Sequence, residues 1–130
     1  MTLTDRPTRR PSTRRVALAA ALDIALVLVF VLVGRRSHAH PADLAGIAST
    51  AWPFLVGLAA GWGVARAWQA PFAVVAAGLP VWVATVGGGM VLRHVAGQGT
   101  ATPFVVVATV VVAVFLIGWR IVAAVMIRRR

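Results

Sequence analysis

One acidic residue interrupts a long apolar run near the start of this 130-residue chain. Asp23 is the only charged residue between positions 16 and 33. If this run spans a membrane, a carboxylate inside it costs about 2.5–3.5 kcal/mol and needs a partner cation or a proton. Such a residue can fix helix packing through an ion pair, or it can relay a proton or an ion. Asp23 is therefore the first candidate for a functional role.

A single arginine in the last apolar run is the natural partner of this aspartate. Arg120 lies seven residues before Ile127, and Asp23 lies seven residues after Val16. If the two runs cross a membrane in opposite directions, both side chains lie about 10 Å from the same edge. We predict an ion pair that fixes helix register, so that Asp23→Asn lowers the melting temperature and a charge swap restores part of it. A proton or ion relay at Asp23 is one alternative, and a hydrated Asp23 with a snorkelling Arg120 is another.

Basic residues also gather where the first and third apolar runs end. Arg35, Arg36 and His38 follow the first run, and Arg93 follows the third. Because both runs are expected to end on the same side of the membrane, these side chains can converge on a small anion or an anionic lipid headgroup. A solvated flank is the alternative. We predict no metal site here, because the nearby histidines and aspartate provide no fourth ligand.

The composition excludes an ordinary soluble domain and contains no set of residues typical of an enzyme. Sixty per cent of the residues are hydrophobic and 12% are charged, with a net charge of +10. A soluble fold of this length could not hide so much apolar surface. Most arginines flank apolar runs, where they meet anionic lipid headgroups, so nucleic acid is not an expected partner. Without cysteine, paired carboxylates or a phosphate loop, we expect neither enzymatic activity nor a cofactor.

Four apolar runs are long enough to cross a membrane as helices. In lipid, an isolated segment must satisfy its own backbone hydrogen bonds, so even the valine-rich runs are expected to be helical. We predict an all-α, integral membrane four-helix bundle. Its helices are expected at about residues 16–33, 43–68, 71–92 and 102–127, between a disordered Arg-rich tail (1–15) and a basic flank (128–130).

The distribution of arginine predicts the orientation of the bundle. With four spans both termini lie on one side, and only Arg35, Arg36 and Arg93 of the thirteen arginines lie on the other. The positive-inside rule then predicts that both termini are cytoplasmic. A cleaved twin-arginine export signal is a weaker alternative, because Arg35 and Arg36 occupy the region where a cleavage site should be uncharged.

Glycine and proline residues indicate where the helices approach closely or bend. Gly57 and Gly61 form a GxxxG motif, which favours close packing of two helices within the chain. Pro53 releases the carbonyl of Ser49. The second helix therefore either continues from about Asp43 through this position, or consists of a short interfacial turn up to Thr50 followed by the span proper. The third run can bend at one proline and at three glycines: Pro80, Gly87, Gly88 and Gly89.

Four segments of the chain together resemble a known bacterial family. They are GRRSH (34–38), TAWPFLVG (50–57), the glycine-ended third run and GWR (118–120). In these segments the chain resembles the DUF3054 family, small membrane proteins of unknown function, over about residues 16–127. The resemblance implies four transmembrane helices and a plasma-membrane location. It implies no activity, substrate or catalytic residue.

The residues favour a role without enzymatic chemistry. We expect a structural or accessory component of the cell envelope, with a second copy of the chain or another membrane protein as its candidate partner. A small proton- or ion-linked transporter or channel that uses Asp23 is the alternative. Small multidrug-resistance exporters are similar in having four spans, an acid in the first and a glycine-rich third. This chain departs from them in having no Glu, no Tyr and a strong charge bias.

Overall fold

The structure is a computed structural model that describes residues 11–37 and 43–129. Within these residues the chain forms four long helices: α1 (Thr13–Ser37), α2 (Leu44–Ala65), α3 (Leu79–Val95) and α4 (Thr102–Arg128). A 3-10 turn (Ala67–Gln69) and a π turn (Val74–Gly78) precede α3. With the π turn counted into α3, each helix is long and apolar enough to cross a membrane. The protein is thus a multi-pass membrane protein, and the predicted all-α four-helix bundle is confirmed.

The first helix is longer at both ends than the sequence predicts. It begins at Thr13, inside the predicted tail, because Ser12 Oγ accepts a hydrogen bond from the backbone N–H of Arg15 (3.2 Å) and caps the first turn. It then continues to Ser37. The earlier part of the predicted tail and the last residue of the predicted basic flank lie outside the described residues.

The second helix runs without a break through its internal proline. Asp43 caps its start by accepting a hydrogen bond from the backbone N–H of Gly46 (3.2 Å). Pro53 has no N–H to donate to the carbonyl of Ser49, and the side chain of Gln98 donates to that carbonyl instead (3.0 Å). The released carbonyl is therefore satisfied from the loop between α3 and α4.

The third helix does not begin at Pro71, where the sequence predicts its start. It begins at Leu79, directly after the π turn, in which the backbone N–H of Gly78 donates to the carbonyl of Ala73 (3.0 Å). In a continuous α-helix from Pro71, the ring of Pro80 would clash with the carbonyl four residues before it. The π turn moves Pro80 into the first turn of α3, where a missing N–H costs little.

Helices α2 and α3 approach each other closely along glycines. A Cβ on Gly57 would lie 2.7 Å from the carbonyl oxygen of Ala84, and one on Gly61 would lie 2.9 Å from the Ala84 Cβ. On the facing helix, a Cβ on Gly89 would lie 2.6 Å from the ring of Phe54. The glycines of the GxxxG motif therefore pack within the chain, against its own third helix.

The three glycines near the end of α3 do not interrupt the helix, which continues to Val95. Gly88 also faces α2, since a Cβ there would lie 3.3 Å from the Cα of Gly57. Gly87 is exposed, and nothing lies within 4 Å of its added Cβ. Two of the three glycines thus serve close packing between helices, and the third faces outward.

Each helix turns a narrow stripe of side chains toward the interior of the bundle. On α4 the buried residues recur at every fourth position: Ala108, Val112, Leu116 and Arg120. On α1 the buried stripe consists of Ala19, Asp23, Val27, Phe30 and Val31. Exposed Val, Leu and Ile side chains cover much of the remaining surface, as expected for helices that contact acyl chains. The two intramembrane charges therefore lie on inward-facing stripes.

We predict that Gly57→Ala destabilises the bundle, because the added methyl group would meet the backbone of α3. Overpacking of this kind costs about 1–3 kcal/mol and should lower the melting temperature in detergent. Gly63→Ala is the matched control on the same helix, since nothing lies within 4 Å of its added Cβ. Equal melting temperatures for the two variants would contradict the close contact between α2 and α3.

Candidate functional site

The intramembrane aspartate and arginine form a bidentate ion pair between α1 and α4. Arg120 Nη1 donates to Asp23 Oδ1 at 2.9 Å, and Nη2 donates to Oδ2 at 2.7 Å. Both side chains have 0% of their surface exposed. The planar guanidinium matches the carboxylate at two points, so the pair is fixed in direction as well as in distance.

Two tryptophans complete the hydrogen bonding of the carboxylate. Trp62 Nε1 on α2 donates to Oδ2 of Asp23 at 2.9 Å, and Trp119 Nε1 on α4 donates to Oδ1 at 2.8 Å. Each carboxylate oxygen therefore accepts one hydrogen bond from the guanidinium and one from an indole. A buried indole N–H needs an acceptor, and here both of them are used to stabilise a buried negative charge.

Backbone carbonyls and an aromatic ring complete the surroundings of Arg120. Its Nε donates to the carbonyl of Pro71 at 2.9 Å, and its Nη1 also donates to the carbonyl of Leu116 at 2.8 Å. The guanidinium carbon lies 4.5 Å from the ring centroid of Trp119, within the range of a cation–π interaction. Gly78 leaves room for the arginine stem, because a Cβ there would lie 3.2 Å from Arg120 Cδ.

We call this assembly the polar hub: Asp23, Trp62, Pro71, Trp119 and Arg120. It joins α1, α2, the connection between α2 and α3, and α4 at one level of the bundle. Within the described residues, no buried side-chain nitrogen or oxygen lacks a hydrogen-bond partner. Removing one member of a buried ion pair costs about 3–5 kcal/mol, because the other charge stays buried alone. The hub is therefore suited to holding helices in register.

A second polar cluster lies where α1 and α3 end and α2 and α4 begin, which we call the loop end. Arg35 Nη1 donates to Thr50 Oγ1 at 2.9 Å, and Arg35 Nη2 lies 3.8 Å from Asp43 Oδ1. The guanidinium carbon of Arg93 lies 4.5 Å from the ring centroid of Phe104. Arg35 and Arg93 line the same cavity.

The predicted anion cluster is only partly described. The side chain of Arg36 and the whole of His38 lie outside the described residues, so the structure brings together only Arg35 and Arg93 of this set. In the part of the chain that is described, no group of three His, Asp or Glu side chains could hold a metal ion.

Comparison with known proteins gives the family of the chain. A family model described as a protein of unknown function, DUF3054, matches residues 20–123. The chain belongs to the DUF3054 family. The matched range contains every member of the polar hub and both described arginines of the loop end. No curated protein and no solved structure matches the chain.

Several members of the hub in this DUF3054 protein were not expected from the sequence. Trp62 and Trp119 carried one usable signal: both lie several residues inside an apolar run, where an indole N–H needs an acceptor. No sequence signal indicated that the carbonyl of Pro71 would accept a hydrogen bond from Arg120, or that Gly78 would leave space for the arginine stem. Their positions depend on the turn between α2 and α3, which a local sequence pattern does not specify.

The hub changes the expectation for exchanging the two charges. With Arg at position 23 and Asp at position 120, the indoles of Trp62 and Trp119 would donate toward a cation. The carbonyls of Pro71 and Leu116 would face a carboxylate. These buried groups would lose their partners, which is costly. We therefore expect the charge swap not to restore stability, whereas the ion pair considered alone predicts partial restoration.

We predict that Asp23→Asn lowers the free energy of unfolding by about 3–5 kcal/mol, because Arg120 then stays buried without a counter-ion. Unfolding by sodium dodecyl sulfate in mixed micelles measures this change. Asp43→Asn is the matched control, since Asn also caps helices and the Asp43 carboxylate is 63% exposed. The control should lose less than about 1 kcal/mol. Equal losses in the two variants would rule out a structural ion pair at Asp23.

Proposed function

We propose that this DUF3054 protein is a non-enzymatic structural or accessory component of the bacterial inner membrane. The observation that carries the proposal is the closed polar hub. Asp23 has no exposed surface and accepts four hydrogen bonds from three side chains of the bundle. A carboxylate in this position stabilises one arrangement of the helices, and it is not placed to meet a substrate.

A proton- or ion-linked transporter makes a different demand on the same aspartate. A relay residue must exchange its proton or ion with water, first on one side of the membrane and then on the other. At Asp23 this exchange would break the contacts with Arg120 and both indoles. It would also leave the guanidinium buried alone, which costs about 3–5 kcal/mol. The geometry therefore supports the structural role over the relay.

The proposed orientation has both termini in the cytoplasm. Five of the described arginines lie at the end of the bundle where α1 begins and α4 ends: Arg14, Arg15, Arg66, Arg128 and Arg129. The positive-inside rule supports a cytoplasmic location for this end. Its arginines would contact anionic lipid headgroups. The partner of an accessory component would be another membrane protein or a second copy of the chain.

We predict that the protein reconstituted in liposomes carries no proton or ion current, because the hub offers no exchange path at Asp23. With pyranine inside and a potassium diffusion potential set by valinomycin, acidification should match that of protein-free liposomes. Asp23→Asn should give the same trace. A protonophore added at the end verifies that the liposomes are sealed.

One result would replace the structural proposal with the transporter. It is a flux carried by the wild-type protein and abolished by Asp23→Asn, while gel filtration shows that the variant is still folded. Potassium and chloride gradients should be tested in the same way, since an ion other than the proton could use the same residue.

A further inference from the structure

A cavity of about 410 Å³ opens at the loop end of the bundle. Sites for small ligands occupy about 300–1,000 Å³ and combine apolar walls with a few polar groups. This cavity has both kinds of wall. Its apolar lining includes Phe30 and Phe104, and its polar lining includes Arg35, Thr50, Arg93 and Gln98.

The lining carries two cations and, among the described residues, no acidic side chain. Arg93 donates only to neutral oxygens of the described chain: Gln98 Oε1 (3.0 Å), the Gln98 carbonyl (3.3 Å) and the Gly99 carbonyl (3.3 Å). A guanidinium has five N–H donors, so two of those on Arg93 remain for a ligand. Arg35 adds a second cation from another helix, with 16% of its side chain exposed. Its guanidinium also donates to Thr50 Oγ1 (2.9 Å), and the Asp43 carboxylate lies 3.8 Å from it, outside the lining of the cavity.

Arg93 is held in position by the protein itself. Its guanidinium lies against Phe104, and Gln98 accepts one of its hydrogen bonds. The amide of Gln98 in turn donates to the carbonyl of Ser49, which Pro53 leaves without a helical partner. The Ser49 carbonyl of α2 therefore positions Gln98, and Gln98 in turn positions Arg93. A guanidinium ordered in advance binds an oxyanion at a lower entropic cost.

We propose that this cavity binds a phosphate group, with Arg93 and Arg35 as its cationic contacts. Arginine binds phosphate oxygens through paired, charge-assisted hydrogen bonds. The phosphodiester of an anionic phospholipid and free phosphate offer the same chemistry. The two phenylalanines in the lining favour the phospholipid, because its glycerol and acyl chains can lie against them.

This site goes beyond the structural role proposed above and does not depend on it. Arg35 lies twelve residues after Asp23 on α1, about 18 Å away by helix rise. If the cavity does not bind phosphate, the structural role of the polar hub is unaffected. If Asp23 and Arg120 do not stabilise the bundle, the cavity can still bind phosphate.

The test compares wild-type protein with Arg93→Gln and with a control, Arg128→Gln. Arg128 is exposed near the opposite end of the bundle, so its loss removes one positive charge without touching the cavity. Each protein is purified in detergent, and native mass spectrometry measures its retention of phosphatidylglycerol against phosphatidylcholine. Inorganic phosphate is then added to compete with the lipid. Gel filtration verifies that each variant is folded, and Arg35→Gln gives a second, independent variant of the cavity.

We expect wild type and Arg128→Gln to retain phosphatidylglycerol, and Arg93→Gln and Arg35→Gln to bind it about ten-fold or more weakly. Retention that inorganic phosphate does not disturb assigns the site to the lipid headgroup. Displacement of the lipid by phosphate, with phosphate raising the melting temperature of wild type but not of Arg93→Gln, assigns it to free phosphate. Equal retention in all folded variants, with no effect of phosphate, would overturn the proposal.

Discussion

Asp23 and Arg120 are each expensive to bury in lipid, so the fold has to bring them together. An isolated charge inside the membrane costs about 2.5–3.5 kcal/mol. The ion pair alone would still leave some N–H groups of Arg120 and some lone pairs of Asp23 without hydrogen-bond partners. Trp62 and Trp119 donate hydrogen bonds to the carboxylate of Asp23, and the carbonyl of Pro71 accepts one from the guanidinium of Arg120. Because these groups come from different helices and one connecting turn, satisfying the two charges fixes the relative rotation and register of α1, α2 and α4 together.

Much of the helical architecture could be predicted because it follows from local properties. Run lengths predict four spans, and the predicted start of the second helix at about residue 43 lies next to the observed start of α2 at Leu44. The first residues of α1 and α3 were not predicted correctly, because they depend on a cap at Ser12 and on a π turn before Pro80. Apolar side chains cover the lipid-facing surfaces as well as the interior, so hydrophobic periodicity does not show which face packs inward. The buried charges and the close-packed glycines do show it.

The pairing of Asp23 with Arg120 could be anticipated because depth in the membrane can be counted along the chain. The remaining contacts of the site could not, because they depend on side-chain directions between helices. Pro53 illustrates the difference. Its release of the Ser49 carbonyl follows from the chemistry of proline, but the donor that satisfies this carbonyl is Gln98, from the other half of the chain. The same glutamine orders Arg93. The sequence therefore predicts that the arginines at the loop end converge, but it does not show how Arg93 is held.

Asp23 and Arg120 should stabilise the bundle as a unit rather than separately. The most direct test is a double-mutant cycle that measures the free energies of unfolding of wild type, Asp23→Leu, Arg120→Met and the double variant in mixed micelles. Each single substitution leaves one buried charge alone, a cost that the double variant does not carry. We therefore expect the loss in the double variant to be smaller than the sum of the two single losses, with a coupling energy of about 2–3 kcal/mol. Losses that add to within about 0.5 kcal/mol would contradict a shared structural role for the two residues.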